Sequence, residues 1–404
     1  MPPEAAIDTA RWPDGLRGLS NAVRDAGLGF ILWIEPERAH VGTWLRRTFP
    51  EWMLPKGQPT SPADALFDLG DADARSYITE YLIAAVQDFS LSVLRLDYNI
   101  NPLPLWLGPP YTDDTTRRGL NEAKYIAGLY AVWDAVRSGV NARGSAGASL
   151  LIDNCASGGR RIDLETISRS VPLWRTDYDG VSGCCTMSWS STCTGPIGCG
   201  RQDNPASQSM TMGLSQFLPI HNGMASSWEP YHWRSTGVVG KTIYWGGAGF
   251  AHLLANASAR QTAQQAVAET KSLRQIALHD DAEYYPLYYG GQRKTWPDGT
   301  VEIVPTNDTW AAYQYHVPSL GGFAMVFRRE SSPNADFRLS LNGVGSEMHY
   351  SVRCCFDYSC AEAQLMVGAA LHNFSVNLLP ASSLLLRYEL TAAEVVSGSA
   401  GRRE

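Results

Sequence analysis

The sequence predicts an α/β fold of the (β/α)8 TIM-barrel type, followed by a C-terminal antiparallel β-sandwich. Up to about residue 290, apolar strand-like runs alternate with amphipathic helical patterns, which is typical of a parallel sheet covered by helices. From Trp310 onward, short alternating runs are separated by turn residues, which is typical of an all-β module. We therefore predict a barrel domain over residues 1–290 and a sandwich domain over residues 291–404.

Each element of this prediction follows from the spacing of apolar residues. Helical spacing is shown by Leu16, Leu19, Val23 and Ala26, by Ile78, Leu82, Ala85 and Val86, and by Ile126, Leu129, Tyr130 and Trp133. A long helix is predicted over 257–278. Strands are predicted over 28–34, 91–97, 149–154 and 171–176, with weaker candidates at 210–220 and 242–249 and shorter β-module runs at 322–328, 337–341 and 383–388.

Composition and charge limit the classes of partner. The chain has 404 residues, of which 44% are hydrophobic and 18% charged, and its formal net charge is -7. This balance provides no basic field for nucleic acid or anionic lipid. No apolar run reaches the roughly 20 residues that a bilayer span requires. We therefore expect neither nucleic-acid nor membrane partners, while assembly into a homo-oligomer stays open.

Cysteines and histidines do not predict a metal site. None of the eight cysteines forms a C-x-x-C pair, and the eight histidines show no paired-ligand spacing, so we expect no metal and no cofactor. Four cysteines lie in a Gly/Ser/Thr-rich insert over 181–200, where disulfides could form. Three N-x-[ST] sequons, at Asn256, Asn307 and Asn373, are compatible with a secretory route, so we favour an extracellular location without assigning one.

Carboxylates stand where predicted strands end, which is the position of reactive groups in barrel enzymes. Asp97 ends one predicted strand, and Asp177 follows another. Two carboxylates from different strand ends are what the cleavage of a glycosidic bond requires, one as nucleophile and one as proton donor. Trp33 and Trp174 stand at the same strand ends, where they could stack on a sugar ring. This pattern indicates a site for carbohydrate hydrolysis.

The same residues have ordinary structural interpretations. A single aspartate at a strand end commonly caps a helix or binds a loop, and a tryptophan commonly packs in a core. Cys155 is by default a buried thiol. Arg95 lies inside an apolar strand and needs an anionic partner. Asp97 is two residues away on the same face, so an ion pair between Arg95 and Asp97 is the structural alternative.

Together, these strand ends resemble the melibiase or α-galactosidase group of glycoside hydrolase family 36. Four segments carry the resemblance, in the family's order and over about 145 residues. They are Trp33-Ile-Glu-Pro-Glu37, similar to W-F-E-P-E; Leu94-Arg-Leu-Asp-Tyr-Asn99, similar to K-W-D-x-N; Asn154-Cys-Ala-Ser-Gly-Gly-Arg160, close to C-A-S-G-G-G-R; and Trp174-Arg-Thr-Asp177, similar to W-x-S-D.

The resemblance implies a retaining, exo-acting hydrolase of terminal α-galactosyl residues that works without a cofactor on a carbohydrate substrate. It implies Asp97 as the nucleophile and Asp177 as the acid/base, with Asp179 as the rival acid/base. The residues implied to bind the sugar are Trp33, Arg95, Asn99, Cys155, Gly158 and Trp174. The segment Trp310-Ala-Ala-Tyr-Gln-Tyr315 resembles the opening of the family's C-terminal sandwich.

Three departures from the family pattern bear on function. Arg95 stands where the best-known members carry lysine, and Arg160 replaces the third glycine of the signature. The sequence also begins downstream of the family's N-terminal sandwich and first barrel strands, so we expect an incomplete sequence. Two alternatives follow: a non-catalytic or degenerate carbohydrate-binding protein, and a glycosidase or transglycosylase acting on another hexose such as N-acetylgalactosamine.

Overall fold

The structure is a computed structural model, and it describes ten segments of the chain. They are residues 7–56, 64–107, 116–117, 119–142, 150–177, 181–182, 201–202, 204–225, 227–243 and 255–391. The chain divides into two compact units, Met1–Asp177 and Tyr178–Glu404. In the described segments, no helix has both the length and the apolar character needed to cross a membrane. The domain boundary predicted near residue 290 stays a prediction.

The first unit contains a three-stranded parallel sheet. Its central strand, Val93–Leu96, pairs with the first strand, Ile31–Ile34, and with the third strand, Leu151–Asn154. These strands confirm, in shorter form, the predictions at 28–34, 91–97 and 149–154.

The strand predicted at 171–176 is wrong over most of its length. An isolated parallel bridge joins Val171 to Asp153, and the following residues form no strand. Pro172 explains the interruption, since proline has no N–H to donate to a ladder of strand hydrogen bonds. The segment after Val171 therefore runs as a loop from the edge of the sheet to Asp177.

Two long helices pack against the parallel sheet and confirm the predicted helical faces that include Leu82 and Trp133. The helix Arg17–Asp25 also forms, but its predicted apolar face is not buried, since Leu19 is 37% exposed. Leu82 and Trp133 are buried in the same core as Leu94 and Ile152. The helices of this unit are Arg17–Asp25, Trp44–Thr48, Ala72–Asp88, Leu103–Trp106, Leu120–Ala142 and Leu164–Ile167, with a 3-10 turn at Pro50–Trp52. A small antiparallel sheet joins Arg38–His40, Asp64–Phe67 and Met53–Leu54.

The second unit is organised around a seven-stranded antiparallel sheet, which confirms the β-module predicted from Trp310 onward. Its order is Glu283–Tyr288, Trp310–Val317, Gly321–Arg328, Ser382–Leu390, His349–Phe356 and Ser359–Cys360, with Gln364–Val367 also paired to His349–Phe356. One face packs on the strand pair Asp336–Leu339 and Phe374–Asn377. The other face packs on Asn204–Leu214, Pro230–Ser235 and Ala257–Ala277, which are helices.

Several smaller elements complete the second unit. They are the strand pairs Val181–Ser182 with Arg201–Gln202, Asn222–Ala225 with Gly240–Ile243 and Gln292–Thr295 with Val301–Val304, and the short helix Gly368–Leu371. The long helix predicted at 257–278 is confirmed. The strand predicted at 210–220 is wrong, because its first half belongs to the helix Asn204–Leu214. A short, mixed apolar run fits a buried helix as well as a strand.

The cysteines fall into three groups. Cys355 and Cys360 form a disulfide across two antiparallel strands. Cys155 and Cys354 are free thiols. The four cysteines of the predicted insert, Cys184, Cys185, Cys193 and Cys199, lie outside the described residues.

A buried ion pair ties the end of the first strand to the loop after the third strand. Glu37 is only 1% exposed, and both of its carboxylate oxygens accept hydrogen bonds from Arg161 at 3.0 Å. The Tyr125 hydroxyl also donates to Glu37, and the Arg161 guanidinium lies 5.0 Å from the centre of the Tyr98 ring. Arg161 Nε donates to Asn154 at 3.1 Å. The loop that follows the third strand is thereby fixed beneath the carboxyl ends of the sheet.

We predict that Glu37→Ala lowers the free energy of unfolding by about 3–5 kcal/mol, because Arg161 is left as a buried charge without its partner. Urea unfolding followed by circular dichroism measures the change. Glu165→Ala is the matched control, since it breaks the Glu165–Arg169 pair, in which Glu165 is 66% exposed. The control is expected to cost about 0–1 kcal/mol. Equal losses in the two variants would show that the buried pair contributes no more than a surface one.

Candidate active site

Three side chains stand in a row on one face of the parallel sheet. The strand register pairs Trp33 with Arg95, and Arg95 with Asp153. Arg95 Nη1 donates to Asp153 Oδ2 at 2.7 Å, and Asp153 is only 1% exposed. The expected ion pair between Arg95 and Asp97 is therefore wrong. A neighbouring strand lies about 4.8 Å away, whereas two steps along one strand cover about 6.6 Å, so the cross-strand partner is nearer.

Asp97 follows the central strand and receives hydrogen bonds from four groups. The Trp33 indole N–H donates to Oδ2 at 3.0 Å, and the backbone N–H of Tyr98 donates to Oδ1 at 2.8 Å. The side chains of Asn99 and Cys155 also hydrogen-bond to the carboxylate. Asp97 is 8% exposed, so a buried carboxylate is surrounded by donors that carry no charge.

These contacts keep Asp97 ionised. Burial acts to raise the pKa of Asp97, but the hydrogen bonds from Asn99, Trp33, the Tyr98 backbone and Cys155 outweigh it and lower the pKa below its ordinary value. Burial raises the pKa of the Cys155 thiol to about 12, so Cys155 is a neutral S–H donor at physiological pH. The result is an ionised carboxylate at the end of the central strand.

Asn99 is held by the residues that end the first strand and follow the third. Its backbone N–H donates to Glu35 at 2.7 Å, and Glu35 is itself paired with Arg38 at 2.6 Å. The Ser157 hydroxyl lies 3.5 Å from the side-chain oxygen of Asn99. The amide of Asn99 is thus oriented while it hydrogen-bonds to Asp97.

The loop that carries Asp177 lies against two consecutive glycines that follow the third strand. Gly158 and Gly159 have φ angles of +75° and +84°, a backbone conformation that favours glycine. A Cβ on Gly158 would lie 2.4 Å from the Asp177 carboxyl carbon, and a Cβ on Gly159 would lie 1.9 Å from the Arg175 carbonyl oxygen. Arg160, which replaces the third glycine of the signature, is exposed and does not have a positive φ angle. A glycine is therefore not required at this position.

Trp174 connects the acidic loop to the row of side chains on the sheet. Its indole N–H donates to Asp177 Oδ1 at 2.8 Å. The guanidinium carbon of Arg95 lies 5.2 Å from the centre of the Trp174 ring, at cation–π distance. Trp33 is 50% exposed while its indole N–H contacts Asp97, so part of the side chain beside Asp97 is accessible. All eight residues singled out in the sequence are therefore connected by direct or shared contacts in the first unit.

Asp179, the rival acid/base, lies outside the described residues. Sequence reasoning missed three charged residues that support the site, Asp153, Arg161 and Glu37 in its role as a partner of Arg161. A signal for Asp153 was present, since it is an acidic residue inside an apolar strand next to another apolar strand that carries an arginine. Among the described segments, no group of three or more His, Cys, Asp or Glu side chains could hold a metal ion.

Asp97 is an ionised carboxylate at the end of a parallel strand and contacts the exposed Trp33 indole, while Asp177 lies in the loop that follows the sheet. A pair of carboxyl groups placed in this way is typical of the active site of a glycoside hydrolase. Comparison with known families assigns the domain more closely. Residues 4–198 match the family model described as Melibiase.

Two sequence relatives each match less than half of the chain. An α-galactosidase of Escherichia coli is 26% identical over 184 residues, which are 45% of this chain and 24% of the relative. The α-galactosidase AgaA of Geobacillus stearothermophilus is 27% identical over 183 residues, which are 44% of this chain and 23% of the relative. The matched segment thus spans about a quarter of each curated relative.

Several solved structures have the same fold as nearly the whole chain. The family 36 α-galactosidase AgaB of Geobacillus stearothermophilus superposes with a TM-score of 0.70 at 19% identity, covering 96% of this chain and 48% of that protein. An α-galactosidase of Lactobacillus brevis gives a TM-score of 0.67 at 16% identity, with the same two coverages of 96% and 48%. The chain therefore spans about half the length of these proteins and shares their fold.

We predict that Trp33→Phe raises the pKa of Asp97, because it removes an N–H donor that stabilises the ionised carboxylate. A 13C NMR titration of labelled aspartate carboxyl groups, with Asp97 assigned by substitution, measures the change. Trp106→Phe is the matched control, since the buried indole N–H of Trp106 has no hydrogen-bond partner in the described part of the chain. An Asp97 titration that is identical in both variants would contradict the role given to Trp33.

Proposed function

We propose that this chain carries the catalytic carboxylates of a retaining, exo-acting α-galactosidase. The observation that supports this proposal best is the state of Asp97, a buried carboxylate kept ionised by uncharged donors beside a partly accessible indole. An ionised carboxylate without a salt-bridge partner is suited to attack an anomeric carbon. The names of the relatives and of the solved structures favour galactose as the sugar.

We propose that the first unit belongs to a (β/α)8-type barrel. Three parallel strands and the bridge at Val171 run in one order, with helices between them and reactive groups at their carboxyl ends. Parallel strands joined by helices in this way are the repeating unit of such a barrel. In this proposal the barrel is followed by a C-terminal β-sandwich, which the seven-stranded antiparallel sheet supports.

In the proposed mechanism the two aspartates act in two steps. In the first step Asp97 attacks the anomeric carbon, the bond to the leaving oxygen breaks, and Asp177 gives its proton to that oxygen. In the second step Asp177 takes a proton from water, the water oxygen attacks the anomeric carbon, and the bond to Asp97 breaks. The sugar leaves with its original anomeric configuration, and both carboxyl groups return to their starting states.

The remaining residues would bind and orient the sugar. Trp33 offers a ring face for stacking, and Arg95 and Asn99 offer N–H donors to hydroxyl groups. Cys155, Gly158 and Trp174 would shape the floor of the pocket around the two aspartates. Solved structures of a relative, the AgaA enzyme, carry stachyose, raffinose or 1-deoxygalactonojirimycin.

We predict that the full-length protein that contains this chain hydrolyses nitrophenyl α-galactoside faster than the corresponding α-glucoside and N-acetyl-α-galactosaminide. Asp97→Asn is expected to lower kcat by about 10³-fold or more, since the nucleophile is lost. The same variant is expected to bind 1-deoxygalactonojirimycin in calorimetry. Asp88→Asn, at a side chain that is 50% exposed, is the matched control and should leave kcat unchanged.

Each other outcome identifies a different error in the proposal. Binding of the sugar analogue by a wild type that does not turn over any substrate would favour a non-catalytic carbohydrate-binding protein. Faster hydrolysis of another hexoside would reject galactose as the substrate. Full activity in Asp97→Asn would reject Asp97 as the nucleophile.

A further inference from the structure

One buried carboxylate touches both halves of the candidate active site. Asp153 lies in the third strand and is 1% exposed. Its Oδ2 accepts from Arg95 Nη1 at 2.7 Å, and its Oδ1 accepts from the backbone N–H of Leu173 at 2.8 Å. Arg95 belongs to the strand that leads into Asp97, whereas Leu173 belongs to the loop that leads into Asp177. Asp153 therefore joins the two segments that carry the aspartates.

Both contacts of Asp153 lead to Trp174. Leu173 is the residue before Trp174, so its hydrogen bond fixes the backbone from which the indole projects. The Arg95 guanidinium, held by Asp153, lies 5.2 Å from the centre of the Trp174 ring. The Trp174 indole N–H then donates to Asp177 at 2.8 Å. The position of the Asp177 carboxyl group thus depends on Trp174, and the position of Trp174 depends on Asp153.

The contacts of Asp97 are different. Its donors are Trp33, the Tyr98 backbone, Asn99 and Cys155, and none of these hydrogen bonds comes from Asp153 or Arg95. A change at Asp153 should therefore disturb the position of Asp177 more than that of Asp97.

We propose that Asp153 is a positioning residue for proton donation by Asp177. The inference rests on the proposed function, in which Asp177 protonates the leaving oxygen. Asp153 touches no substrate in this proposal and acts through Leu173, Arg95 and Trp174. Its negative charge is required because a neutral side chain would leave the Arg95 guanidinium without an ionic partner and free to move away from the Trp174 ring.

Comparing kcat/KM for substrates with different leaving groups distinguishes a loss of proton donation from a general disruption of the site. An aryl α-galactoside with a dinitrophenolate leaving group needs little protonation, whereas methoxyphenyl and methyl α-galactosides depend on it. We expect Asp153→Asn to lower kcat/KM about 100-fold for the poor leaving groups, which is within the usual contribution of a general acid. For dinitrophenyl α-galactoside we expect kcat/KM to fall less than about 3-fold, because this leaving group departs without being protonated by a general acid.

The matched control is Asp163→Asn in the same part of the chain. Asp163 caps the helix Leu164–Ile167 by accepting from the backbone of Glu165 and Thr166, and its hydrogen bonds in the described segments lie within this helix start rather than at Asp177. Any loss in this variant should be the same for all leaving groups. Unfolding temperatures of both variants show whether the fold is retained.

Arg95→Lys is the second variant, and it serves if Asp153→Asn does not fold. It keeps a positive charge beside Asp153 but removes the planar guanidinium from the Trp174 ring. Because Arg95 also donates to sugar hydroxyls in the proposed function, Arg95→Lys should lower kcat/KM for every substrate, and the loss should be larger for the poor leaving groups.

Equal losses across the leaving groups, in either folded variant, would overturn the role of Asp153. A full-length wild-type protein that hydrolyses none of the series would instead reject the proposed function, and the inference with it. The activity of the wild type therefore distinguishes a failure of the inference about Asp153 from a failure of the proposed function.

Discussion

Buried negative charge at the carboxyl ends of the parallel sheet is the constraint on which the first unit depends. Glu37, Asp97 and Asp153 are each less than a tenth exposed. A carboxylate removed from water destabilises the fold unless donors or a cation compensate it. Two of these three carboxylates are compensated by arginines, Glu37 by Arg161 and Asp153 by Arg95. The third, Asp97, is compensated by uncharged donors.

This difference in partners supports the proposal that Asp97 is the reactive carboxylate and that Glu37 and Asp153 are supporting ones. A salt bridge holds a carboxylate strongly and would oppose its movement toward an electrophile, whereas neutral hydrogen bonds stabilise the charge and leave an oxygen to react. The arginine pairs fix the strands and the loops around Asp97. The glycines at 158 and 159 then allow the loop with Asp177 to approach closely. The supporting charges and the close backbone approach together place Asp97 at a strand end and hold the loop that carries Asp177 against Gly158.

Much of the site could be predicted because its residues cluster at strand ends within short motifs. Trp33, Asp97, Cys155 and Asp177 each follow or end an apolar run, which is visible without a structure. The long helices were equally visible, since their apolar faces repeat over several turns. The antiparallel module was visible from short alternating runs, and its first strand, Trp310–Val317, is buried along its length.

The alignment of residues between neighbouring strands could not be predicted from the sequence. Arg95 is two residues from Asp97 in the chain, but its partner is Asp153, which lies 58 positions further along. The choice is made by the alignment of neighbouring strands, and no local pattern encodes it. Two predictions of short strands were also wrong. The apolar run at 210–220 fits either a helix or a strand, and it forms part of a helix. The strand predicted at 171–176 ends after one bridge, because Pro172 follows Val171. Tertiary contacts decided the first case, whereas the missing N–H of the proline decided the second.

Covalent trapping tests the assignment of Asp97 most directly. The full-length protein that contains this chain would be incubated with a fluorinated α-galactosyl fluoride, whose glycosyl-enzyme forms faster than it hydrolyses, and then digested for peptide mass spectrometry. We predict one added fluorogalactosyl group per chain, located on Asp97. An adduct on Asp177, or rapid hydrolysis of α-galactosides to the inverted sugar with no adduct, would contradict a covalent mechanism centred on Asp97.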